Sequence, residues 1–295
     1  MSKSSRLKQL DRMPMVPRQP EHAFTLIELL VVLAMVTLLA MTLLPALAKA
    51  KYPSMVSNCA ANFRQWVEMA NVYASDDAQG SMPSFPVLDS GGNPTDVATN
   101  FIFNLIPYGM TMTMNFCPVR PQDWDVANAQ FHAVMHRYMQ NIADLNYWFS
   151  AVGLRSVNGG YSKLIHLWWV PRPTTLSGYG LPVPIPGHPT PGSLFPWPGY
   201  PVGNAPAGAL PWPLKTSDAS VSKQPIISDY TECGSTVDIN QIPPPVTGKL
   251  GYAHFYNGSL QSVNVGYADG HVDLHIRAAM AWQYTGNNGN NTYYY

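Results

Sequence analysis

The sequence predicts an α+β protein in which a long N-terminal helix packs on a small head built on an antiparallel sheet. Three patterns predict this class: an apolar run at residues 24–48, an amphipathic helical pattern at 49–78, and two alternating strands at 263–276. A proline-rich stretch, residues 171–213, interrupts the head. With 295 residues, the chain is long enough to bury a sizeable core.

Composition restricts the classes of function. The chain has 17 basic and 17 acidic side chains, and charged residues make up only 12% of it. Proteins that bind nucleic acid through its phosphates carry an excess of basic residues, so we expect no nucleic-acid partner. Three cysteines are too few for a disulfide scaffold, and their wide spacing does not match a zinc knuckle.

The first fifty residues have the pattern of a membrane anchor. Residues 1–23 hold five basic and two acidic groups, whereas Phe24–Ala48 contains one ionisable residue, Glu28. The uncharged stretch Leu29–Ala48 has 20 residues. At about 1.5 Å per residue it crosses a hydrocarbon layer of about 30 Å. Basic residues before the span keep the N-terminus in the cytoplasm. This predicts a single-pass inner-membrane protein with a periplasmic or extracellular head.

Glu28 is the exceptional residue of this segment. A carboxylate near the start of a spanning helix costs several kcal/mol to bury and is by default a functional-site hypothesis. We therefore expect Glu28 to need a cationic partner.

The residues around Glu28 carry a family resemblance. Residues 23–28 have the sequence AFTLIE, and the apolar helix that follows contains Pro45. This segment, over about residues 18–52, resembles the cleavage and methylation segment of type IV prepilins and type II secretion pseudopilins. That family usually has glycine before the cleavage point, where this chain has Ala23.

The resemblance implies a processing reaction and a mode of assembly. A prepilin peptidase would cleave between Ala23 and Phe24 and methylate the new amine of Phe24. Glu28 would then be the fifth residue of the mature chain and would pair with the Phe24 amine of a neighbouring subunit. The resemblance implies a structural subunit, not an enzyme, without a cofactor. Its partners would be the peptidase, other pseudopilin subunits, membrane lipid and the inner-membrane assembly platform of a type II secretion or type IV pilus-like system.

Two alternatives remain open at this point. The apolar run could be a secretory signal or a plain anchor, because residues 46–48 offer an Ala-x-Ala cleavage pattern. The protein could also be a membrane-anchored extracytoplasmic binding or hydrolytic domain that uses the segment only for export.

The predicted segments are a leader (1–23), a transmembrane helix (24–48), the outer half of the helix (49–78), the first part of the head (79–170), an insertion (171–213) and the C-terminal part of the head (214–295).

Beyond the membrane span the helical pattern continues, because apolar residues recur at steps of three and four. Pro45 and Pro53 lack an amide donor and are predicted kinks. Asp76 and Asp77 are expected to end the helix. The predicted buried stripe consists of Val56, Cys59, Phe63, Trp66, Val67, Ala70 and Tyr73.

A second helix is predicted at residues 123–149, with Asp123 or Asp125 as its N-cap. His132 and His136 lie one turn apart on it, at a spacing that zinc ligands use, but the glutamate of a metalloprotease motif is replaced by alanine. We expect a solvated helix flank there. The predicted buried stripe consists of Phe131, Val134, Met135, Tyr138, Ile142 and Leu145.

The insertion at residues 171–213 contains 13 prolines and 7 glycines. Such a stretch cannot form a helix or a central strand, so an extended loop with polyproline II character is expected. Its aromatic residues Trp197, Tyr200 and Trp212 either pin the loop to the head or form a recognition surface.

The clearest signal in the head is the hairpin at residues 263–276. A two-residue turn at Asp269-Gly270 would place Val263 opposite Ile276, Val265 opposite Leu274 and Tyr267 opposite Val272. We expect the resulting apolar face to pack on the long helix. The other face carries three weak candidate ligands for a metal ion, His271, Asp273 and His275, and calcium is the ion considered. Alternatively, this face is a solvent-facing edge or a subunit contact.

His254 lies upstream of Asp269, Gly270 and His271, and this arrangement resembles a C-terminal His…Asp-Gly motif found in many prepilin-type proteins. Here 14 residues separate His254 from Asp269. A disulfide is possible between Cys59 on the helix and Cys117 before a proline turn, if the compartment is oxidising.

Overall fold

The structure is a computed structural model that describes residues 24–87, 93–153, 160–172, 210, 212–233, 239–243, 250–251, 253–285 and 292–295. The chain divides into two compact units, Met1–Ala50 and Lys51–Tyr295. The predicted leader lies outside the described residues, and so does most of the predicted insertion.

The first unit contributes the N-terminal part of helix α1, which spans Leu26–Asp76. Within it Leu26–Leu44 has a mean hydropathy of 2.6 and is, among the described residues, the one helical stretch long and apolar enough to cross a membrane. The hydroxyls of Thr37 and Thr42 donate to the carbonyls of Ala34 and Leu39. Both hydroxyls are therefore satisfied within the helix, as a hydrocarbon environment requires.

In the second unit, the rest of α1 forms the spine of the head. The predicted stripe is confirmed, because its members from Val56 to Ala70 are buried and Tyr73 is half-buried. The helix ends at Asp76, and the Asp77 carboxylate accepts the backbone N–H groups of Gln79 and Ser81. Pro53 lies within the helix, and its role as a kink remains a prediction.

Three shorter helices follow: α2 (Phe101–Leu105), α3 (Pro121–Met135) and α4 (Ile142–Tyr147). The prediction of one helix at 123–149 is therefore wrong, because the chain turns at His136, which has a φ of 56°. The guanidinium of Arg137 then binds both carboxylate oxygens of Asp144, at 2.8 and 2.6 Å. This pair holds the break between α3 and α4.

The ends and the buried face of this region also differ from the prediction. The N-cap of α3 is Arg120, with Pro121 in the first turn, and neither Asp123 nor Asp125 caps the helix. Phe131 and Leu145 are buried as predicted. Three predicted stripe residues lie instead at the turn, where they are exposed: Val134, Met135 and Tyr138.

The strands form three antiparallel sheets. The largest contains β3 (His166–Trp168), β4 (Pro225–Asp229), β6 (His254–Tyr256), β7 (Ser259–Tyr267) and β8 (Val272–Ile276). In it β7 is central: β4 and β6 pair with its two halves, β8 pairs along its other edge, and β3 pairs with β4.

The two smaller sheets contain the other described strands. One joins β1 (Asp96–Val97) to β2 (Ser162–Lys163). The other has the order β5, β10, β9, formed by Glu232–Cys233, Thr292–Tyr294 and Trp282–Thr285. A long helix with antiparallel sheets confirms the predicted α+β class.

The register of the β7–β8 hairpin corrects the prediction by one residue. Val263 lies opposite His275, and Val265 lies opposite Asp273. The loop has three residues, because the Tyr267 N–H donates to the His271 carbonyl and the Gly270 N–H to the Tyr267 carbonyl. Gly270 has a φ of 105°, which is the left-handed conformation that a three-residue hairpin loop requires. A slip of one residue exchanges the faces of a strand.

The one-residue shift in register changes which side chains of each strand are buried. On β8, Leu274 and Ile276 are 49% and 57% exposed. On β7 both faces are buried from Ser262 to Tyr267, whereas Ser259 and Gln261 are exposed. The face that includes Gly266 packs on α1, whereas the predicted apolar face packs in a second core with Trp169 and Trp212, whose rings stack at 5.0 Å. The expectation that this face packs on the long helix is therefore wrong. Trp197 and Tyr200 of the insertion lie outside the described residues.

Candidate functional site

The start of α1 is built around Thr25 and Glu28. The Glu28 N–H donates to the Thr25 hydroxyl oxygen at 3.2 Å. In return, the Glu28 carboxylate accepts the backbone N–H and the hydroxyl of Thr25, both at 2.9 Å. This is a capping box, in which two residues satisfy the free donors at a helix N-terminus.

Sequence reasoning identified Glu28 but missed the partner in its own chain. The signal was present, because threonine three residues before glutamate and an apolar run is the capping-box pattern. Phe24 is 72% exposed at the very start of the described chain. Pairing of Glu28 with the amine of another subunit remains a prediction, and so do cleavage after Ala23 and the kink at Pro45.

The second candidate site lies inside the head and consists of Cys59, Cys117, Asp229 and His254, here called the polar cluster. Each residue offers one ligand atom, and these four atoms lie within 4.8 Å of one another. All four residues are buried. Among the described residues, no other group of three or more histidine, cysteine, aspartate or glutamate side chains comes together in this way.

Four separate elements place the cluster residues. Cys59 lies on the buried stripe of α1, and Cys117 lies in the turn that leads into α3. Asp229 ends β4, and His254 begins β6. The cluster thus lies where the spine helix meets the central sheet.

The distances within the cluster are short. His254 Nε2 lies 3.1 Å from Asp229 Oδ2 and 3.5 Å from Cys117 Sγ. Cys59 Sγ lies 4.0 Å from Asp229 Oδ1. Nε2 of the imidazole therefore faces Asp229 and Cys117, while Nδ1 lies 3.2 Å from the Ser262 hydroxyl on β7.

A fixed cation borders the cluster. The Arg120 side chain is only 1% exposed, and its Nη1 donates to Asp229 Oδ1 at 3.3 Å. Its Nε donates to Asp123 at 2.9 Å. Asp229 Oδ2 also accepts the backbone N–H of Asn264 at 2.7 Å. Buried charges are tolerated when paired and hydrogen-bonded, and these contacts supply both.

The protonation of the cluster reflects these neighbours. Burial opposes charge on His254, yet Asp229 raises the pKa of His254 to about 9. Burial also opposes the thiolate of Cys117, but hydrogen bonds with Cys59 and His254 and the charge of Arg120 bring its pKa down to about 6. Burial raises the pKa of Cys59 well above the usual range. One thiolate is therefore favoured at the cluster.

Sequence reasoning named three of the four cluster residues, but for other reasons. Cys59 and Cys117 were paired as a possible disulfide, and the structure brings them together as free thiols. His254 was noted for its position upstream of Asp-Gly. Asp229 was missed, because a single aspartate at a strand end carries no local signal.

The predicted ligand set at the hairpin does not converge in the structure. His271 Nδ1 lies 2.5 Å from Asp269 Oδ1, and its Nε2 lies 3.6 Å from Asp273. His275 Nε2 instead lies 3.4 Å from the Tyr267 hydroxyl. The three candidates therefore form no common site. Asp269 and Gly270 form the hairpin loop, and His254 lies in the polar cluster instead.

Neither histidine of α3 belongs to a group of candidate ligands in the described part of the chain. His136 takes the left-handed turn position that ends the helix, and the His132 ring lies 4.7 Å from the Tyr138 ring.

An apolar groove of about 410 Å³ lies elsewhere on the head, and its lining is Tyr73, Phe85, Phe103, Asn104, Ile106, Pro107 and Tyr108.

Comparison with known proteins identifies the N-terminal segment. The prokaryotic N-terminal methylation motif matches residues 18–44. No curated protein and no solved structure matches the chain. The match covers the capping box and the apolar part of α1. The chain therefore carries a prepilin-type signal, which implies a prepilin peptidase substrate that is methylated at its N-terminus and anchored in the membrane by an apolar helix.

Proposed function

We propose that this protein is a pseudopilin or pilin-like subunit that prepilin peptidase processes between Ala23 and Phe24 and that polymerises into a filament. The filament belongs to a type II secretion or type IV pilus-like system. The observation that carries the proposal is the methylation motif at residues 18–44, joined to a helix that continues to Asp76 in the head.

The arrangement of the head supports a structural role. The outer half of α1 is the buried spine of the head, with Phe63, Trp66 and Val67 in its main core. A subunit built in this way presents its apolar segment, Leu26–Leu44, to lipid or to other subunits. The basic residues before the span favour a cytoplasmic N-terminus and a periplasmic or extracellular head.

The capping box gives Glu28 a role before assembly. While the subunit is stored in the membrane, the Thr25 donors satisfy the carboxylate. On assembly the same carboxylate pairs with the Phe24 amine of a neighbour, which neutralises its charge in the hydrocarbon layer. Assembly then depends on the charge of Glu28, whereas the helix start depends on its hydrogen bonds.

The first experiment determines the mature N-terminus. The full chain is expressed in a host with an active prepilin peptidase, and the membrane-bound protein is analysed by intact mass and N-terminal sequencing. The expected product begins at N-methylated Phe24. A chain that starts at Met1 or Lys49 contradicts the proposal and turns attention to an anchored or secreted binding domain.

The second experiment separates assembly from helix capping. Glutamine also serves in a capping box, so Glu28→Gln keeps the helix start but removes the charge. We expect Glu28→Gln to be cleaved and inserted in the membrane but to be lost from sheared or crosslinked filaments. Glu68→Gln, on the exposed side of the spine, is the matched control and should assemble normally. Equal assembly of both variants would argue against the subunit role.

A further inference from the structure

We propose that the polar cluster of Cys59, Cys117, Asp229 and His254 is a structural zinc site that fastens the spine helix to the central sheet. The proposal goes beyond the filament role, and it concerns the head alone. It rests on the convergence of four donor atoms from four elements at a buried point.

The spacing of the donor atoms fits a tetrahedral ion. With zinc–sulfur bonds of about 2.3 Å and zinc–nitrogen or zinc–oxygen bonds of about 2.0–2.1 Å, the ligand atoms of a tetrahedral site lie about 3.3–3.8 Å apart. The measured separations are 3.1 Å from His254 Nε2 to Asp229 Oδ2, 3.5 Å from Nε2 to Cys117 Sγ, and 4.0 Å from Cys59 Sγ to the other oxygen of Asp229, Oδ1, and the four donor atoms all lie within 4.8 Å of one another. Small side-chain adjustments bring all four atoms onto one ion.

The types of ligand atom in the cluster indicate which metal ion binds there. Two sulfurs, one imidazole nitrogen and one carboxylate oxygen in a tetrahedron are typical of zinc. Calcium requires six to eight oxygen ligands, so it does not suit this cluster. The complete burial of the ligands leaves no open position for a substrate, which is the mark of a structural site and not of a catalytic one.

Positive charges offset most of the negative charge of the zinc-bound cluster. When zinc binds, the protons held by the two sulfurs and by Nε2 of His254 are released to solvent, so Cys59 and Cys117 coordinate as thiolates and His254 coordinates through unprotonated Nε2. The two thiolates and the carboxylate of Asp229 then carry three negative charges. The zinc ion and the guanidinium of Arg120 carry three positive charges, and Asp123, which also binds Arg120, adds a fourth negative charge, so the group keeps a single net negative charge.

The surrounding residues hold the ligands as the second shell of a metal site does. Ser262 lies within hydrogen-bond distance of His254 Nδ1 and leaves Nε2 free to face the ion. The N–H of Asn264 and the guanidinium of Arg120 orient Asp229. Asn264, whose backbone N–H binds Asp229, has a buried side-chain amide without a hydrogen-bond partner among the described residues. The described residues therefore leave polar groups near the cluster without hydrogen-bond partners.

The test measures metal in the full-length protein. The chain is purified in detergent with a tag that contains no histidine, and its zinc content is determined by mass spectrometry. Wild-type protein is expected to hold about one zinc per chain. Cys117→Ser and His254→Gln should lose most of it. Cys233→Ser and His271→Asn remove a cysteine and a histidine outside the cluster, and both should keep it.

A second measurement covers the case in which the cluster variants do not fold. Wild-type protein is treated with a chelator and its thermal melting is recorded, followed by addition of zinc or of calcium. The melting temperature should fall on chelation and recover with zinc but not with calcium. Cobalt substitution should give the visible absorption of a tetrahedral thiolate site.

Three results would overturn the proposal. The first is wild-type protein without zinc whose melting does not respond to added zinc. The second is a Cys59–Cys117 disulfide, found by mass mapping of protein that was never reduced. The third is an unchanged zinc content in folded Cys117→Ser, which would place the metal elsewhere.

Discussion

Gly266 on β7 lies directly against Val67 on the spine helix. A Cβ atom at Gly266 would lie 2.8 Å from Val67 Cγ2 and 2.9 Å from Ile227 Cγ2. Because real Cβ atoms do not approach that closely, the helix and the sheet are packed together at the distance that only glycine permits.

The first prediction follows from this contact. Gly266→Ala should lower the free energy of unfolding by about 1–3 kcal/mol, because the added methyl group overpacks the core. Adding Val67→Ala should relieve part of the loss, so the double variant should be more stable than the sum of the single effects predicts. Chemical denaturation of the four proteins in detergent measures this coupling. Strict additivity would show that the two residues are not in contact.

The second prediction tests the register of the hairpin. Leu274 is half exposed, and Val265 is fully buried in the second core. Leu274→Ser should therefore change the free energy of unfolding by less than about 0.5 kcal/mol. Val265→Ser should lower it by at least about 2 kcal/mol. Similar large losses for both variants would instead support the register in which the two side chains lie opposite each other.

The third prediction concerns acid. The hydrogen bonds from Arg137 lower the pKa of Asp144 to about 2, from an ordinary value of 3.8. A lowered pKa in the folded state stabilises the fold above the unfolded value, and this contribution is lost as the pH falls from about 4 to about 2. The stability difference between wild type and Asp144→Asn should therefore be largest at neutral pH and should shrink across that interval. Denaturation midpoints at several pH values measure it.

A matched variant controls for the general effect of acid. Asp125 is exposed on α3, so Asp125→Asn should show the same pH profile as wild type. If Asp144→Asn also keeps the wild-type profile, the pair with Arg137 does not contribute to folding.

The fourth prediction concerns a buried indole. Trp168 Nε1 donates to the Pro83 carbonyl at 3.0 Å, and Trp168 is completely buried. Trp168→Phe leaves that carbonyl without this donor, and we expect a loss of about 1–3 kcal/mol. Trp124 is half-buried, so Trp124→Phe should cost less. Equal losses would mean that volume and not the hydrogen bond determines the effect. Denaturation followed by circular dichroism compares the two.

The parts of the fold that sequence predicted correctly rest on local periodicity. The stripe from Val56 to Ala70 could be identified because every member recurs within one helical turn of the next. The capping box at Thr25 and Glu28 is local in the same way, and its pattern was available in the sequence.

Other features have alternative conformations that the local sequence fits equally well, so the sequence alone does not distinguish them. Asp269-Gly270 suits a two-residue hairpin turn, but Gly270 serves equally well at the left-handed position of a three-residue loop. The bond from the Tyr267 N–H to the His271 carbonyl closes the three-residue loop in the structure, and the local sequence does not distinguish this loop from the two-residue turn. The break at His136 likewise depends on the Arg137–Asp144 pair, which no helical pattern reveals.

The polar cluster could not be predicted from local sequence patterns, because its residues come from distant parts of the chain. Cys117 and His254 are 137 residues apart, and Cys59 and Asp229 are 170 apart. Zinc motifs recognised from sequence place two ligands within a few residues of each other, and these four residues do not.

These separations also constrain the order in which the head can form. A chain made from its N-terminus has Cys59 and the apolar stripe of α1 long before β4 and β6 exist, so Val67 on the spine helix lacks its partner Gly266 until the last third of the chain is made. Contacts this distant in sequence make folding slow. Until the last third of the chain is in place, the nascent subunit is a target for proteases and for association with other unfinished copies, and a chain truncated before β4 never leaves that state.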